Sequence, residues 1–175
     1  MAEPDAVIRW TCPNCNRVFG KVNQSHLRCE PGMTLGQYLA DARPFEQPVF
    51  EAVEHRIGHL DGLIIDPIDV GILLKNGPMF AELRPKTRWT ALGFSLGRKL
   101  DHGRLSRKVV DYGKKFFHVI NVEDPEQIDD EIADWLIEAY HVAGGTLSAY
   151  QRSQSSSDDA EGMMVPDDID EDDLF

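Results

Sequence analysis

Long apolar runs are missing from this chain of 175 residues, and so is a cysteine set suited to a disulfide framework. Its apolar stretches are only a few residues long, whereas a membrane-spanning helix needs about 20. The N-terminus lacks the basic and apolar regions of a secretory signal. Three cysteines are too few, and odd in number, for a network of disulfides. These absences predict a cytoplasmic protein without membrane contact, whose cysteines are reduced.

Basic residues are absent after Arg152, so the charge of the chain is unevenly distributed. The net charge is −12, and the last 22 residues contain nine acidic residues. Residues 56–115 contain twelve basic and six acidic residues, whereas residues 123–138 contain eight acidic residues and no basic one. A basic middle region indicates an anionic partner, or a tail that competes for the same surface. A tail that only keeps the protein soluble is the alternative.

The spacing of apolar residues predicts an α+β fold. Helical periodicity follows Pro48 and returns between Ile128 and Tyr140. Between these helices, alternating patterns predict strands near residues 68–74, 78–83, 88–96 and 116–122. The dipeptide Asn76-Gly77 between the first two strands indicates a hairpin with a type I′ turn. We therefore expect an antiparallel meander of about four strands with two packing helices.

The chain divides into four predicted segments. Residues 8–31 form a small zinc-binding module, and residues 32–47 form a linking helix with Thr34 as its N-cap. Residues 48–143 form the α+β domain. Residues 144–175 form an acidic tail, which we expect to be disordered because it contains too little apolar surface to fold alone.

Three cysteines and one histidine fall in two closely spaced pairs near the N-terminus. The pattern is Cys12-x2-Cys15, then ten residues, then His26-x2-Cys29. Four such ligands suit a tetrahedral zinc ion and leave no open coordination position, so the zinc would be structural. Reduced thiols without a metal are the alternative.

Basic side chains in the zinc module and in the middle of the chain form the predicted nucleic-acid-binding surface. In the middle region they alternate with aromatic residues such as Trp89 and Phe117. Guanidinium groups beside aromatic rings suit a phosphate backbone and stacked bases. The predicted binding residues are Arg17, Lys21, Arg28, Arg84, Lys86, Arg98, Lys99, Arg104, Arg107 and Lys108. A solvated rim without a ligand is the alternative.

The chain ends in Asp172-Asp173-Leu174-Phe175, an acidic run before two apolar residues. This ending resembles the C-terminal tip of bacterial single-stranded-DNA-binding proteins, although Leu174 stands where that family has proline. The resemblance implies a DNA-maintenance protein as a partner, steered by Asp172 and Asp173 and held through Phe175. A tail that folds back on the basic region, or one that is only solubilising, are the alternatives.

A wider set of motifs covers residues 8–142. It comprises Trp10-x-Cys12-x-x-Cys15, Arg17-x-Phe19, Gln24, His26 and Cys29, Phe80-Ala81, Leu96-x-Arg98-x-Leu100-x-His102, His118, and Asp129 through Trp135-Leu136 to Ala139-Tyr140. These motifs resemble an uncharacterised bacterial family, domain of unknown function 5655, with its common N-terminal zinc segment. The resemblance implies the architecture and no activity. Some relatives are joined to DNA-associated proteins, which favours nucleic acid.

The sequence therefore favours a zinc-stabilised nucleic-acid-binding accessory protein, whose acidic tail recruits partners or restrains binding. The second hypothesis is a protein-interaction adaptor that binds no nucleic acid. The third is an enzyme acting on small anions or nucleotides through His102 or His118. No arrangement of nucleophile, base and orienting group is recognisable in the sequence, which disfavours the third hypothesis.

Overall fold

The computed structural model describes residues 10–13, 15, 17–19, 21–23, 26 and 32–158. Within these residues the chain forms two antiparallel sheets, four α-helices and a short 3₁₀ helix at Pro125–Gln127. In chain order the elements are β1 (Trp10–Thr11), β2 (Val18–Phe19), α1 (Leu35–Ala40), α2 (Glu46–Ile57), β3 (Ile64–Ile68), β4 (Gly71–Lys75), β5 (Met79–Pro85), β6 (Thr90–Leu96), β7 (Val110–Asp111), β8 (Phe116–Val122), α3 (Asp130–Gly144) and α4 (Leu147–Asp158). The α+β fold class is confirmed.

The larger sheet has the strand order β3-β4-β5-β6-β8-β7, with every neighbouring pair antiparallel. Its first four strands follow one another as a meander. Residues 97–109 then lead to β7, which pairs with β8 at the sheet edge. The four predicted strands correspond to β4, β5, β6 and β8, so the sheet contains β3 and β7 in addition.

The first predicted strand was placed across a turn. We expected one strand over residues 68–74, whereas the chain reverses at Asp69 and Val70 between β3 and β4. Gly71 permits the reversal because its φ is +149°. A Cβ there would also lie 2.0 Å from the carbonyl oxygen of Leu83 on the neighbouring strand β5. At the next hairpin Gly77 has φ +74°, but Asn76 is not among the residues with positive φ, so the turn is not type I′.

Helices α2 and α3 supply the core, as the apolar periodicity predicts. Val49, Phe50, Val53 and Ile57 of α2 are buried. The buried residues of α3 are Ile132, Ala133, Trp135, Leu136, Ala139 and Tyr140. They pack with alternate residues of the strands, including Leu74, Leu83, Leu92, Phe94 and Ile120. One face of the sheet is thereby covered by apolar side chains.

Local signals define the helix ends. Thr34 caps α1 through a capping box, in which its hydroxyl accepts from the Gln37 amide nitrogen at 3.2 Å. Asp129 caps α3 by accepting from the Ile132 amide nitrogen at 3.2 Å. Gly145 ends α3 in the left-handed region, with φ +71°. The predicted cap Thr34 is therefore present, and Asp129 fills the same role for α3.

The predicted start of the disordered tail, residue 144, lies too early in the sequence, because a helix follows it. Residues 147–158 form α4, and the Tyr150 ring stacks on His141 of α3 with 4.3 Å between ring centroids. Serine-rich composition indicated disorder, but Leu147 and Tyr150 give the first turns of α4 a contact surface on α3. Residues 159–175 lie outside the described residues. None of the described helices is both long and apolar enough to cross a membrane.

Candidate metal centre and sheet-face cavity

Three of the four predicted zinc ligands lie together in the structure. Ligand atoms of Cys12, Cys15 and His26 all lie within 4.8 Å of one another, and Cys15 Sγ is 3.2 Å from His26 Nε2. Both cysteines are buried, although they belong to a small two-stranded unit. The fourth predicted ligand, Cys29, lies outside the described residues.

The β1–β2 hairpin brings these ligands together. Trp10 pairs with Phe19, and the Cys12 amide donates to the Arg17 carbonyl at 2.9 Å, which closes the turn that contains Cys15. The Phe19 ring packs against His26, with ring centroids 4.4 Å apart. Ligands on one tetrahedral ion with bonds of about 2.0–2.3 Å lie between about 3 and 4 Å apart. The Cys12–Cys15–His26 cluster could therefore hold a metal ion.

A second site lies on the sheet face that α2 and α3 do not cover. The strand register places Arg84, Ala91 and Asn121 in one row across β5, β6 and β8. Glu82, Gly93 and Val119 form the next row. Small residues at the centre, between long side chains on either side, produce a cavity of about 480 Å³. It is lined by Glu82, Arg84, Lys86, Trp89, Ala91, Gly93, Ser106, Arg107, Val119 and Asn121. We call it the sheet-face cavity.

One wall of the sheet-face cavity comes from the segment before β7. A Cβ on Gly93 would lie 2.5 Å from Phe117 Cζ, so the Phe117 ring lies over Gly93. The Arg107 guanidinium lies over that ring, 5.8 Å from its centroid, in a cation–π contact. The Ser106 amide and hydroxyl both donate to the Val119 carbonyl, at 2.8 and 3.0 Å. These contacts hold Arg107 beside β8.

The charges in the sheet-face cavity are predominantly positive. Arg84 donates to Glu82 Oε2 through Nε at 3.1 Å and Nη2 at 3.0 Å. Among the described residues, no acidic side chain lies within 4 Å of the charged nitrogens of Lys86 or Arg107. Lys86 and Arg107 therefore present uncompensated positive charge to solvent.

Arg98 and Arg104, also predicted to bind nucleic acid, lie instead against α3. Arg98 forms a two-pronged ion pair with Glu138, at 2.9 Å from Nε to Oε1 and 2.8 Å from Nη2 to Oε2. Arg104 contacts both Asp129 and Glu131, the latter at 2.9 Å. The hydrogen bonds from Arg104 hold the pKa of the Asp129 carboxyl below its ordinary value. The acidic helix thus neutralises both arginines.

The other predicted binding residues are dispersed. Lys99 and Lys108 are exposed and do not line the sheet-face cavity. Arg17 and Lys21 belong to the N-terminal unit, where Lys21 is exposed. Arg28 and the predicted partner-binding residues Asp172, Asp173, Leu174 and Phe175 lie outside the described residues.

The two candidate catalytic histidines lie in different environments, because His118 is buried and His102 is exposed. His118 is fully buried, stacks on Phe94 and accepts the Leu100 amide at Nε2 over 3.0 Å. Burial lowers its pKa, so the ring is neutral. His102 packs edge-on against Trp135 and lies 3.3 Å from Glu131. Because His118 holds the segment after β6, its evident role is structural.

Sequence reasoning missed three polar residues of the sheet-face cavity, Glu82, Ser106 and Asn121. A period-two pattern on β5 and β8 could have placed Glu82 and Asn121 on the uncovered face. No sequence signal places Ser106 there, because its position depends on a bond to a strand thirteen residues later.

Comparison with known proteins identifies a family for the larger part of the chain. Residues 35–143 match a family model described as "Domain of unknown function (DUF5655)". The match runs from the start of α1 almost to the end of α3, so it includes the sheet-face cavity and excludes the Cys12–Cys15–His26 cluster. No curated protein and no solved structure matches the chain.

Proposed function

The chain belongs to the DUF5655 family, and we propose that it is a cytoplasmic nucleic-acid-binding accessory protein, stabilised by zinc in its N-terminal segment. The observation that carries this proposal is the sheet-face cavity. It combines cations that have no acidic partner among the described residues with an aromatic residue, in a concave site within the matched domain.

The chemistry of the sheet-face cavity suits a nucleic acid better than a simple anion. Lys86 and Arg107 are exposed at its rim, where they can contact phosphates. Trp89 is half-buried in its wall and offers an aromatic surface to a base. Arg98 and Arg104 contribute little on this proposal because α3 already neutralises them. Lys99 and Lys108 would add long-range attraction.

Zinc is the proposed metal of the N-terminal cluster. Two thiols and an imidazole form a donor set that favours zinc, and Cys29 would supply the fourth ligand at the predicted spacing. The ion would supply folding free energy to a unit with little core of its own. Arg17, Lys21 and Arg28 would then add phosphate contacts beside it.

The acidic tail is proposed to regulate binding. Its acids could compete with nucleic acid for Lys86 and Arg107, or its ending Leu174-Phe175 could recruit a DNA-maintenance protein. A chain that ends at Asp158 retains α4 and removes most of the acids. We expect this shortened chain to bind nucleic acid more tightly if the tail competes, and equally tightly if the tail only recruits partners.

Fluorescence anisotropy with labelled DNA over a salt series tests the proposal. Lys86→Ala with Arg107→Ala should weaken binding by about tenfold, and lower the salt slope by about 0.7 for each lost contact to a single strand. Lys114→Ala is the matched control because Lys114 is exposed but does not line the cavity. Absence of binding by the wild type at low salt would contradict the proposal and leave the protein-interaction adaptor as the better hypothesis.

A further inference from the structure

We infer that the sheet-face cavity takes one unpaired base of a single-stranded nucleic acid, while the neighbouring phosphates contact its rim. This inference rests on the proposed nucleic-acid binding and specifies which part of the ligand enters. Its volume of about 480 Å³ falls within the range of about 300–1,000 Å³ that is typical of small-molecule sites. The position of Glu82 determines whether the interior of the cavity suits a base or a phosphate group.

Glu82 makes the interior of the sheet-face cavity unsuitable for a phosphate group. Its side chain is only 16% exposed and remains beside Arg84, so this arginine is already paired. A phosphate placed there would meet a fixed negative charge. A neutral base would instead offer amino or imino hydrogens, which a carboxylate accepts. The paired interior thus favours an uncharged planar group with hydrogen-bond donors.

Asn121 and Ser106 add hydrogen-bonding groups around the same space. In the described part of the chain, the side-chain amide of Asn121 makes no hydrogen bond, so its NH₂ donor and its carbonyl acceptor are both available. The Ser106 hydroxyl donates to Val119 and keeps acceptor capacity. Donor and acceptor groups side by side match the edges of bases. A polyanion backbone alone would use only donors and cations.

The cations lie where the phosphates of such a strand would pass. Lys86 and Arg107 are exposed, in contrast to the shielded Glu82. A base inserted over Ala91, beside the Phe117 ring that covers Gly93, would leave its phosphates beside these rim cations. Bases in a duplex are stacked and paired, so entry requires a single strand or an extruded base. The geometry therefore selects against intact duplex.

The affinities for three nucleic-acid ligands of equal length distinguish base insertion from nucleic-acid binding in general. Full-length protein would be titrated with a labelled single strand of about 12 nucleotides, its duplex, and an abasic single strand with the same phosphates. We expect the single strand to bind about tenfold tighter than the abasic strand and the duplex. Equal binding of all three would overturn base insertion while leaving nucleic-acid binding intact. No binding of any of them would overturn both.

Glu82→Gln gives a test whose sign differs between the two interpretations. The substitution keeps the shape of the side chain, removes one negative charge and frees Arg84. A site for phosphate alone would bind the single strand more tightly, whereas a site in which Glu82 accepts from a base would bind it several-fold more weakly. Glu126→Gln is the matched control because Glu126 is exposed and outside the cavity. The inference would be overturned if Glu82→Gln tightened binding of the single strand and Glu126→Gln did not.

Asn121→Ala keeps the test independent of any folding defect at Glu82. Asn121 is exposed, so its truncation should leave the thermal midpoint unchanged. We expect about threefold weaker binding of the single strand, with no change for the abasic strand and no change in salt slope. An equal loss for the single and abasic strands would show that Asn121 contacts the backbone and would overturn its role in reading a base.

Discussion

Two pairs of cations close together in sequence face different partners in the fold. Arg98 and Arg104 contact carboxylates of α3 and its cap, whereas Lys86 and Arg107 stand at the rim of the sheet-face cavity without acidic partners in the described part of the chain. Both pairs count equally in the net charge of the sequence. The comparison shows that a local surplus of basic residues overstates the positive charge available to a ligand until internal ion pairs are subtracted.

The largest effect should come from removing the core beneath the acidic helix. Leu136 of α3 has no exposed surface, and Leu136→Ala should lower the free energy of unfolding by about 2–5 kcal/mol. Urea denaturation measures this loss, and Ile137→Ala, at a half-buried neighbour, should cost less. Because α3 packs on the opposite face, the folded variant should keep its affinity for a single strand. A selective loss of affinity would show that the two faces are coupled.

The comparison itself is tested by two double variants that remove the same charge. Lys86→Ala with Arg107→Ala should weaken binding of a labelled single strand by about tenfold, equivalent to about 1.4 kcal/mol. Arg98→Ala with Arg104→Ala should change the affinity by less than about twofold, because these arginines already have partners. Anisotropy at one salt concentration compares them. Equal losses would mean that only total charge matters.

Releasing an internally paired arginine should tighten nucleic-acid binding, by a smaller factor than the loss expected for Lys86→Ala with Arg107→Ala. Glu138→Ala frees Arg98, and we expect binding to tighten by about two- to threefold at low salt. Glu126→Ala removes the same charge from an exposed position without freeing a cation, so it should tighten binding less. Identical gains in the two variants would show that Arg98 acts only through the overall field of the protein.

The smallest expected effect is a pH dependence of stability that originates in His118, whose ring accepts from the Leu100 amide between Arg98 and Arg104. Burial lowers the pKa of His118, and the charge of Arg98 lowers it further, whereas the backbone of Phe94 and Phe116, and then Glu138, partly oppose this shift. The unfolded state therefore binds a proton first as the pH falls through about 6.5, and the free energy of unfolding falls with it. In urea titrations between about pH 7 and pH 5, His118→Gln should show a shallower decline. Part of the decline should persist, because burial also lowers the pKa of His141.

Elements with strong local signals could be predicted from the sequence. The apolar periodicity of α3, the Asp129 cap and the Gly145 stop are all visible within one helix. The alternation of β5, β6 and β8 is equally local. β3 was missed because Pro67 and the turn at Asp69 interrupt its pattern, and tertiary pairing with β4 compensates for them. The Cys–His spacing likewise identified three residues that the structure clusters.

The content of the sheet-face cavity depends on long-range register and could not be predicted. Ala91 lies opposite Arg84 on one side and Asn121 on the other, and only the strand order makes these three neighbours. The pairing of Arg98 with Glu138 spans 40 residues and depends on how α3 crosses the sheet. Charge patterns report which groups exist, whereas the fold decides which of them meet.

The position of β8 in the sheet has a consequence for protein synthesis. Strands β3 to β6 pair with their sequence neighbours, so they can associate as the chain emerges from the ribosome. β8 must close a loop of about twenty residues before it meets β6, and it carries Val119, Asn121 and the ring beneath Arg107. The sheet-face cavity is therefore completed late in synthesis, and a nascent chain that ends before β8 lacks two of its lining residues, Val119 and Asn121.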